Sequence, residues 1–93
     1  MDVLQQNNEI KGRFYIMHEG AEIATMHYNY PAANKIIIDH TEVAEAYEGK
    51  GLGKQLLQAL VAYARKQKIT VIPLCPFAKG MFDRIEDFRD VLV

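Results

Sequence analysis

Over Gly12–His18 the chain is rich in aromatic and branched residues, which predicts a β-strand. Glu19–Gly20 supplies a turn. Ala21–Tyr30, with apolar positions at Ile23, Met26 and Tyr28, predicts a second strand antiparallel to the first. Pro31–Asn34 breaks the chain. Lys35–Val43 is the strongest strand, because consecutive Ile36, Ile37 and Ile38 call for burial on both faces. Uninterrupted alternation puts Ile36, Ile38, His40 and Glu42 on one face, and Ile37, Asp39, Thr41 and Val43 on the other. Then the period changes. Leu52, Leu56, Leu57, Leu60, Val61 and Ala64 recur at helical spacing, predicting an amphipathic helix over Leu52–Gln67. Lys66 and Lys68 sit at its negative end. Ile69–Leu74 returns to strand and is closed by Pro73, Cys75 and Pro76. Ala78–Ile85 suits a short helix, and Glu86–Val93 carries no definite pattern.

The element order predicts a mixed α/β fold: antiparallel N-terminal strands, then a βαβ unit over Lys35–Leu74 whose strands are parallel, with a right-handed crossover. At 93 residues the expectation is a single domain spanning residues 1–93. The polar run Gln5–Asn8 is expected to lie outside the ordered core. A formal net charge of −1 excludes the basic footprint of a non-specific nucleic-acid binder. No polybasic run marks a membrane surface, and no window approaches the ~18 apolar residues of a membrane span. The one cysteine, Cys75, excludes an intrachain disulfide. With no apolar segment after a basic start, the expected location is cytoplasmic.

Gly49, Gly51 and Gly53 stand at alternate positions and feed directly into the predicted helix. Glycine lets a ligand approach the main chain closely, and a helix N-terminus offers unpaired N–H groups with a positive dipole end. The combination reads as a phosphate or pyrophosphate cradle, with Lys50 and Lys54 adding charge. It reads equally as a plain glycine-rich connection that starts a helix. Two phosphate loops are excluded: Gly53 is followed by Lys54–Gln55 rather than Lys-Ser/Thr, and the spacing is G-x-G-x-G rather than G-x-G-x-x-G.

The order strand, Glu48-Gly49-Lys50-Gly51-Leu52-Gly53, helix resembles motif A of the GNAT acetyltransferases, Gln/Arg-x-x-Gly-x-Gly/Ala. His40-Thr41-Glu42-Val43 before the loop and Pro73-Leu74-Cys75-Pro76-Phe77 after the helix resemble a small single-domain GNAT-like subfamily, the YjdJ-like proteins. The likeness covers Ile36–Asp83. It implies a minimal GNAT-like fold with splayed parallel strands, acetyl-CoA or coenzyme A as cofactor, and an amine as acceptor. It further implies that Val43, Glu48, Gly49, Lys50, Gly51, Leu52, Gly53 and Lys54 bind the cofactor. Glu48 departs from the family's Gln or Arg and removes a side-chain contribution to phosphate binding. The helices that wall the acceptor site of larger members have no counterpart here. Pro73 and Pro76 suit strands that part near their C-terminal ends, since proline donates no ladder hydrogen bond; a simple edge strand suits them too.

N-acetyl transfer needs a neutral amine, a polarised carbonyl and a proton for the leaving thiolate. His40 and Glu42, two apart, are candidates to relay the amine's proton; otherwise they are a hydrogen-bonded structural histidine and a solvated or loop-capping carboxylate. Many GNAT enzymes offer a tyrosine to the leaving sulfur, but the corresponding stretch, Ala78–Asp83, holds Phe82 instead. Cys75 is the candidate replacement, as a thiol donor or, the preferred reading of the sequence, as an acyl carrier activated by His40 or by the following helix N-terminus. Its alternative is a small buried hydrophobe. His18, His27 and His40 lack metal-ligand spacing, so no metal is expected. The function expected is acetyl-CoA-dependent N-acetyl transfer, with a coenzyme A-binding module lacking turnover as the alternative.

Overall fold

The computed structural model describes residues 1–93. Strands β1 (Leu4–Asn7), β2 (Lys11–His18), β3 (Ala21–Ala32) and β4 (Lys35–Val43) follow one another, each antiparallel to the last. Helix α1 (Leu52–Gln67) then crosses to β5 (Thr70–Pro73), which lies parallel to β4. Helix α2 (Pro76–Arg84) and a 3-10 turn over Glu86–Val91 close the chain. The sheet order is β1-β2-β3-β4-β5, the mixed α/β arrangement expected from the element pattern.

Leu56, Leu57, Leu60 and Val61 on α1 join Phe14, Ile16, Met26, Ile36 and Ile38 of the sheet in one buried cluster. Full burial of such a side chain contributes roughly 1.5–3 kcal/mol, so this stripe holds α1, and with it the start of the helix, against the sheet. Phe82 of α2 is buried in the same cluster. The other face of the sheet carries no helix.

Beyond one-residue shifts at the ends of β2, β5 and α2, four features differ from the sequence reading. The polar Gln5–Asn8 run contributes to β1, every residue of which is exposed. Pairing with β2 uses main-chain groups and a polar contact, Arg13 Nε donating to Gln6 Oε1 at 3.0 Å, so it needs no apolar side chain. Strand β3 runs through Pro31 to Ala32, because Pro31 has no ladder partner to lose. Pro76 opens α2 rather than merely ending β5; at the first helical position its missing N–H costs nothing. The C-terminal tail returns beside the sheet, with Val93 N–H donating to Val71 O at 3.2 Å.

The larger correction concerns β4. Tyr28 pairs with Ile38, and His27 pairs with His40, so Asp39 is an extra residue in β4, a β-bulge. The bulge shifts the alternation by one. Thr41 and Val43, opposite Met26 and Ala24, continue the helix-covered side of Ile36 and Ile38. His40 and Glu42 turn to the open face, opposite the grouping that strict alternation predicts. A second bulge leaves Ile23 of β3 without a partner in β2, so Ile23, Ala24, Thr25 and Met26 are buried in succession.

Candidate functional site

β4 and β5 pair only as far as Ile38 and Pro73. There the Leu74 and Cys75 N–H groups both donate to Ile38 O, at 3.1 and 3.0 Å. Beyond that point β5 turns into α2, and no strand lies beside the β5-side edge of Asp39–Val43. The two prolines and the extra residue in β4 thus produce a parting of parallel strands, as the sequence suggested.

The parting opens into a groove of about 510 Å³ lined by Thr41, Val43 and Tyr47, by the loop from Glu48 to Lys54, and by Phe77 and Met81 of α2. Of the expected cofactor residues, Val43, Glu48, Gly49, Gly51, Leu52, Gly53 and Lys54 line it; Lys50 does not. Gly49 and Gly51 have φ of +76° and +78°, which explains glycine at both. Gly53 is needed for another reason: a methyl there would strike the Phe77 ring, which packs over the first turn of α1. Gly51 caps α1 without a side-chain hydrogen bond, and the first intrahelical bond is from Gln55 N–H to Gly51 O. The N–H groups of Leu52, Gly53 and Lys54 therefore have no intrahelical acceptor at the positive end of a 16-residue helix. Glu48 is absent from the chain's ion pairs, which join Arg13 to Glu22, His18 to Glu19, His40 to Glu42 and Arg65 to Asp90.

His40 and Glu42 are brought together, with Nε2 and Oε1 2.7 Å apart. The hydrogen bond from His40, then its charge, holds the Glu42 carboxyl below the usual carboxylate range. The His27 ring stacks beside His40 at a centroid distance of 6.1 Å. Cys75 is not part of that group. It is 5% exposed, and its Sγ donates to Thr41 Oγ1 at 3.3 Å on the groove side of β4. The activation of Cys75 by His40 considered from the sequence is therefore absent from this geometry, because the bulge turns His40 to the opposite face from Thr41.

Tyr47 and Met81 were not singled out from the sequence, and Thr41 and Phe77 were quoted only within the segments that carry the resemblance, with no role at the site. Thr41 was assigned to the wrong face by regular alternation. The Gly53 and Phe77 pair, a helix-start glycine and an aromatic 24 positions later, has meaning only once α1 and α2 are known to touch.

Residues 13–91 match the family model for GCN5-related N-acetyl-transferases. The chain belongs to that family. A GCN5-like protein from Staphylococcus aureus, solved by solution NMR, is 34% identical, with a TM-score of 0.77 over 99% of this chain and 87% of that one. Two longer enzymes share the fold. The ribosomal-protein-S18-alanine N-acetyltransferase of Escherichia coli is 17% identical, with a TM-score of 0.70 over 84% of this chain and 53% of the enzyme. A GNAT family acetyltransferase from Elizabethkingia anophelis, solved with acetyl-CoA bound, is 15% identical, with a TM-score of 0.64 over 84% of this chain and 52% of the enzyme. This GCN5-related chain thus spans about half the length of those two enzymes. No curated protein matches it. None of its helices is long and apolar enough to cross a membrane.

Proposed function

We propose that the chain transfers an acetyl group from acetyl-CoA to an amine, with the groove between β4, α1 and α2 as the cofactor site. The observation that carries this reading is the parting of β4 and β5, which leads directly to the uncapped first turn of α1. The residues present fit a coenzyme A group. Unpaired N–H groups of Leu52, Gly53 and Lys54 suit a pyrophosphate, Lys54 adds positive charge, and the β4 edge beyond Ile38 offers main-chain groups to an amide-bearing arm. Bound there, acetyl-CoA supplies the activated acyl thioester.

The chain's own residues then divide the proton traffic. His40 and Glu42 stand on the open face of β4, at the stretch where β5 no longer covers its edge, and would serve as the base for the amine there. The pair takes the proton of the attacking amine, directly or through water, as the N–C bond forms. Cys75, bonded to Thr41 behind the groove lining, would be the donor for the proton that the leaving thiolate needs. What supports this donor role over an acyl-cysteine is the thiol's surroundings: its partner is a hydroxyl rather than a base, and it is buried.

The same burial favours a second reading, a coenzyme A-binding module without turnover. Mass spectrometry of protein and small molecules after incubation with acetyl-CoA and a panel of amines separates the three cases. Direct transfer gives acetylated amine, free coenzyme A and an unmodified Cys75 peptide. An acetyl group on that peptide overturns the direct route, and retained ligand without thiol release selects the binding module.

A further inference from the structure

We infer that a second groove, on the open face of the sheet over β1, β2 and β3, holds the far end of the acceptor, and that the acceptor is a linear amine ending in a carboxylate. This rests on the transfer reading above. The groove has a volume of about 440 Å³ and is lined by Gln6, Asn8, Lys11, Arg13 and His27, among others, with no carboxylate and no apolar residue. Its free polar ends are donors. Arg13 Nε donates to Gln6 Oε1 at 3.0 Å, and the main-chain N–H groups of Ile10 and Lys11 donate to Asn8 Oδ1 at 2.7 and 2.9 Å. Both amides thus have their oxygen engaged within the chain and their NH2 without a partner there. Lys11 is in no ion pair. Arg13 is already engaged: its guanidinium bonds Glu22 and lies over the Tyr15 ring, so it braces Gln6 rather than meeting a ligand. The amide of Asn7, which also lines the groove, is bonded to Tyr28, Tyr30 and Tyr63.

The groove leads to the base. Gln6 pairs with Arg13, Arg13 with His27, and His27 with His40, so the four stand side by side across β1 to β4 on the face away from the helices. His27 lines the groove and stacks beside His40. Neighbouring strands lie about 4.8 Å apart, so the β2 and β4 backbones are separated by about 10 Å, which an extended amine-to-carboxylate chain of about five methylenes suits. The carboxylates nearby each have a donor of their own: Glu22 is bonded to Arg13, Glu42 to His40 and Asp39 to Asn29, and none of the three lines the groove. One free ammonium and two neutral amides match a single negative charge better than the near-double charge of a phosphate. The chemistry recognised is thus an amine at one end, for His40 and Glu42, and a carboxylate at the other, for Gln6, Asn8 and Lys11.

The test is an NMR titration of the full chain with 6-aminohexanoate, hexylamine and 5-aminopentyl phosphate, with and without coenzyme A, followed by turnover of the same three with acetyl-CoA. The amino acid should bind about tenfold more tightly than hexylamine, with amide shifts centred on Gln6–Arg13 and His27. Gln6→Glu keeps an acceptor for Arg13 but brings a carboxylate to the groove, and Lys11→Met keeps the stem without the charge. Both side chains are exposed, so both variants keep the fold. Each should lower 6-aminohexanoate affinity about fivefold, and in turnover the loss should fall on KM rather than kcat, a split that a purely structural role would not give. Equal affinity for the amino acid and hexylamine, tighter binding of the phosphate, shifts centred on Glu22–Thr25, or unchanged 6-aminohexanoate binding in both variants would overturn the assignment. An amino acid that binds as described and is never acetylated upholds the groove as a carboxylate site and sinks transfer. Acetylation of hexylamine and 6-aminohexanoate at equal kcat/KM sinks the groove's role and leaves transfer standing.

Discussion

Gly53→Ala tests whether the first turn of α1 is seated against α2, and through that contact whether the groove has a fixed wall. A methyl on Gly53 would lie 2.9 and 3.0 Å from Cε2 and Cε1 of Phe77, and closer still to Cζ. Two effects oppose each other. Alanine is the better helix former by at most about 1 kcal/mol. Forcing a methyl into a packed contact costs about 1–3 kcal/mol. Phe77 is 38% exposed, so its ring can move outward, and the net destabilisation of Gly53→Ala should be about 0–2 kcal/mol. In a Phe77→Ala background the methyl meets no ring, and the same substitution should become neutral or stabilising. The two changes are therefore coupled by about 1–3 kcal/mol, measurable by urea unfolding of the four proteins in a double-mutant cycle. In a chain of this length, 1 kcal/mol corresponds to about 4–8 °C of melting temperature. Coenzyme A titration of the four proteins by calorimetry adds the functional arm: Gly53→Ala should weaken binding, and Phe77→Ala should restore it to the doubly changed protein. Additivity within about 0.5 kcal/mol would refute the seating of α1 on Phe77. Gly51 is a less clean position for such a test, because its φ of +78° would strain any β-branched residue whatever its effect on a ligand.

Two pH dependences follow from the side-chain contacts. The Glu42 carboxyl is held low by His40, so its contribution to stability is full above the usual carboxylate range and is lost as pH falls through its folded-state value. Carboxyl-carbon NMR should show Glu42 titrating higher in His40→Ala than in the parent, and an unchanged titration would dissolve the pair. Burial raises Tyr28, and it raises Tyr30 together with the hydrogen bond to Tyr63, so both stabilise the fold below the ordinary tyrosine range and lose that contribution as pH rises beyond it. Tyrosinate absorbance should therefore lag for these two of the five tyrosines until the chain unfolds cooperatively; five smooth, simultaneous titrations would contradict the buried network.

Much of the fold was legible because the apolar period is strong where the core is made. The Leu52–Ala64 stripe marks α1, and the three isoleucines mark β4 as a strand with neighbours on both sides, although the burial on both faces expected of them stops at Ile37, which is half-buried on the open face. Strand β1 was not legible, since its stability comes from main-chain pairing and from hydrogen bonds made by partners distant in sequence. Tyr28 and Tyr30 donate to Asn7 Oδ1 at 3.0 and 2.7 Å, and Gln5 donates to the Tyr28 hydroxyl at 2.8 Å. A polar tetrapeptide carries no sign of such contacts. The cradle was legible in its residue types and less so in its reasons, because alternate glycines look alike in sequence. Two of them serve the turn's positive φ, and the third yields space to an aromatic ring.

The chemistry depends most on the feature that periodicity could not reveal. A period of two assigns faces only while the ladder is unbroken, and one inserted residue exchanges every later assignment. Asp39 is that residue. Its side chain accepts a hydrogen bond from Asn29 at 2.9 Å, a cross-strand contact that gives the extra residue a partner on the open face. Downstream of it the two hydroxyl- or thiol-bearing residues, Thr41 and Cys75, meet on the groove side, while the titratable pair, His40 and Glu42, faces outward. Regular pairing counted from Ile38 would have put His40 beside the thiol and favoured a nucleophilic cysteine with an adjacent base. With the bulge, the groups able to accept an amine's proton and the group able to protonate a sulfur lie on opposite sides of the same strand. With acetyl-CoA in the groove, that separation would leave the amine's proton to His40 and Glu42 and the sulfur's proton to Cys75, so the two proton transfers would not share a group.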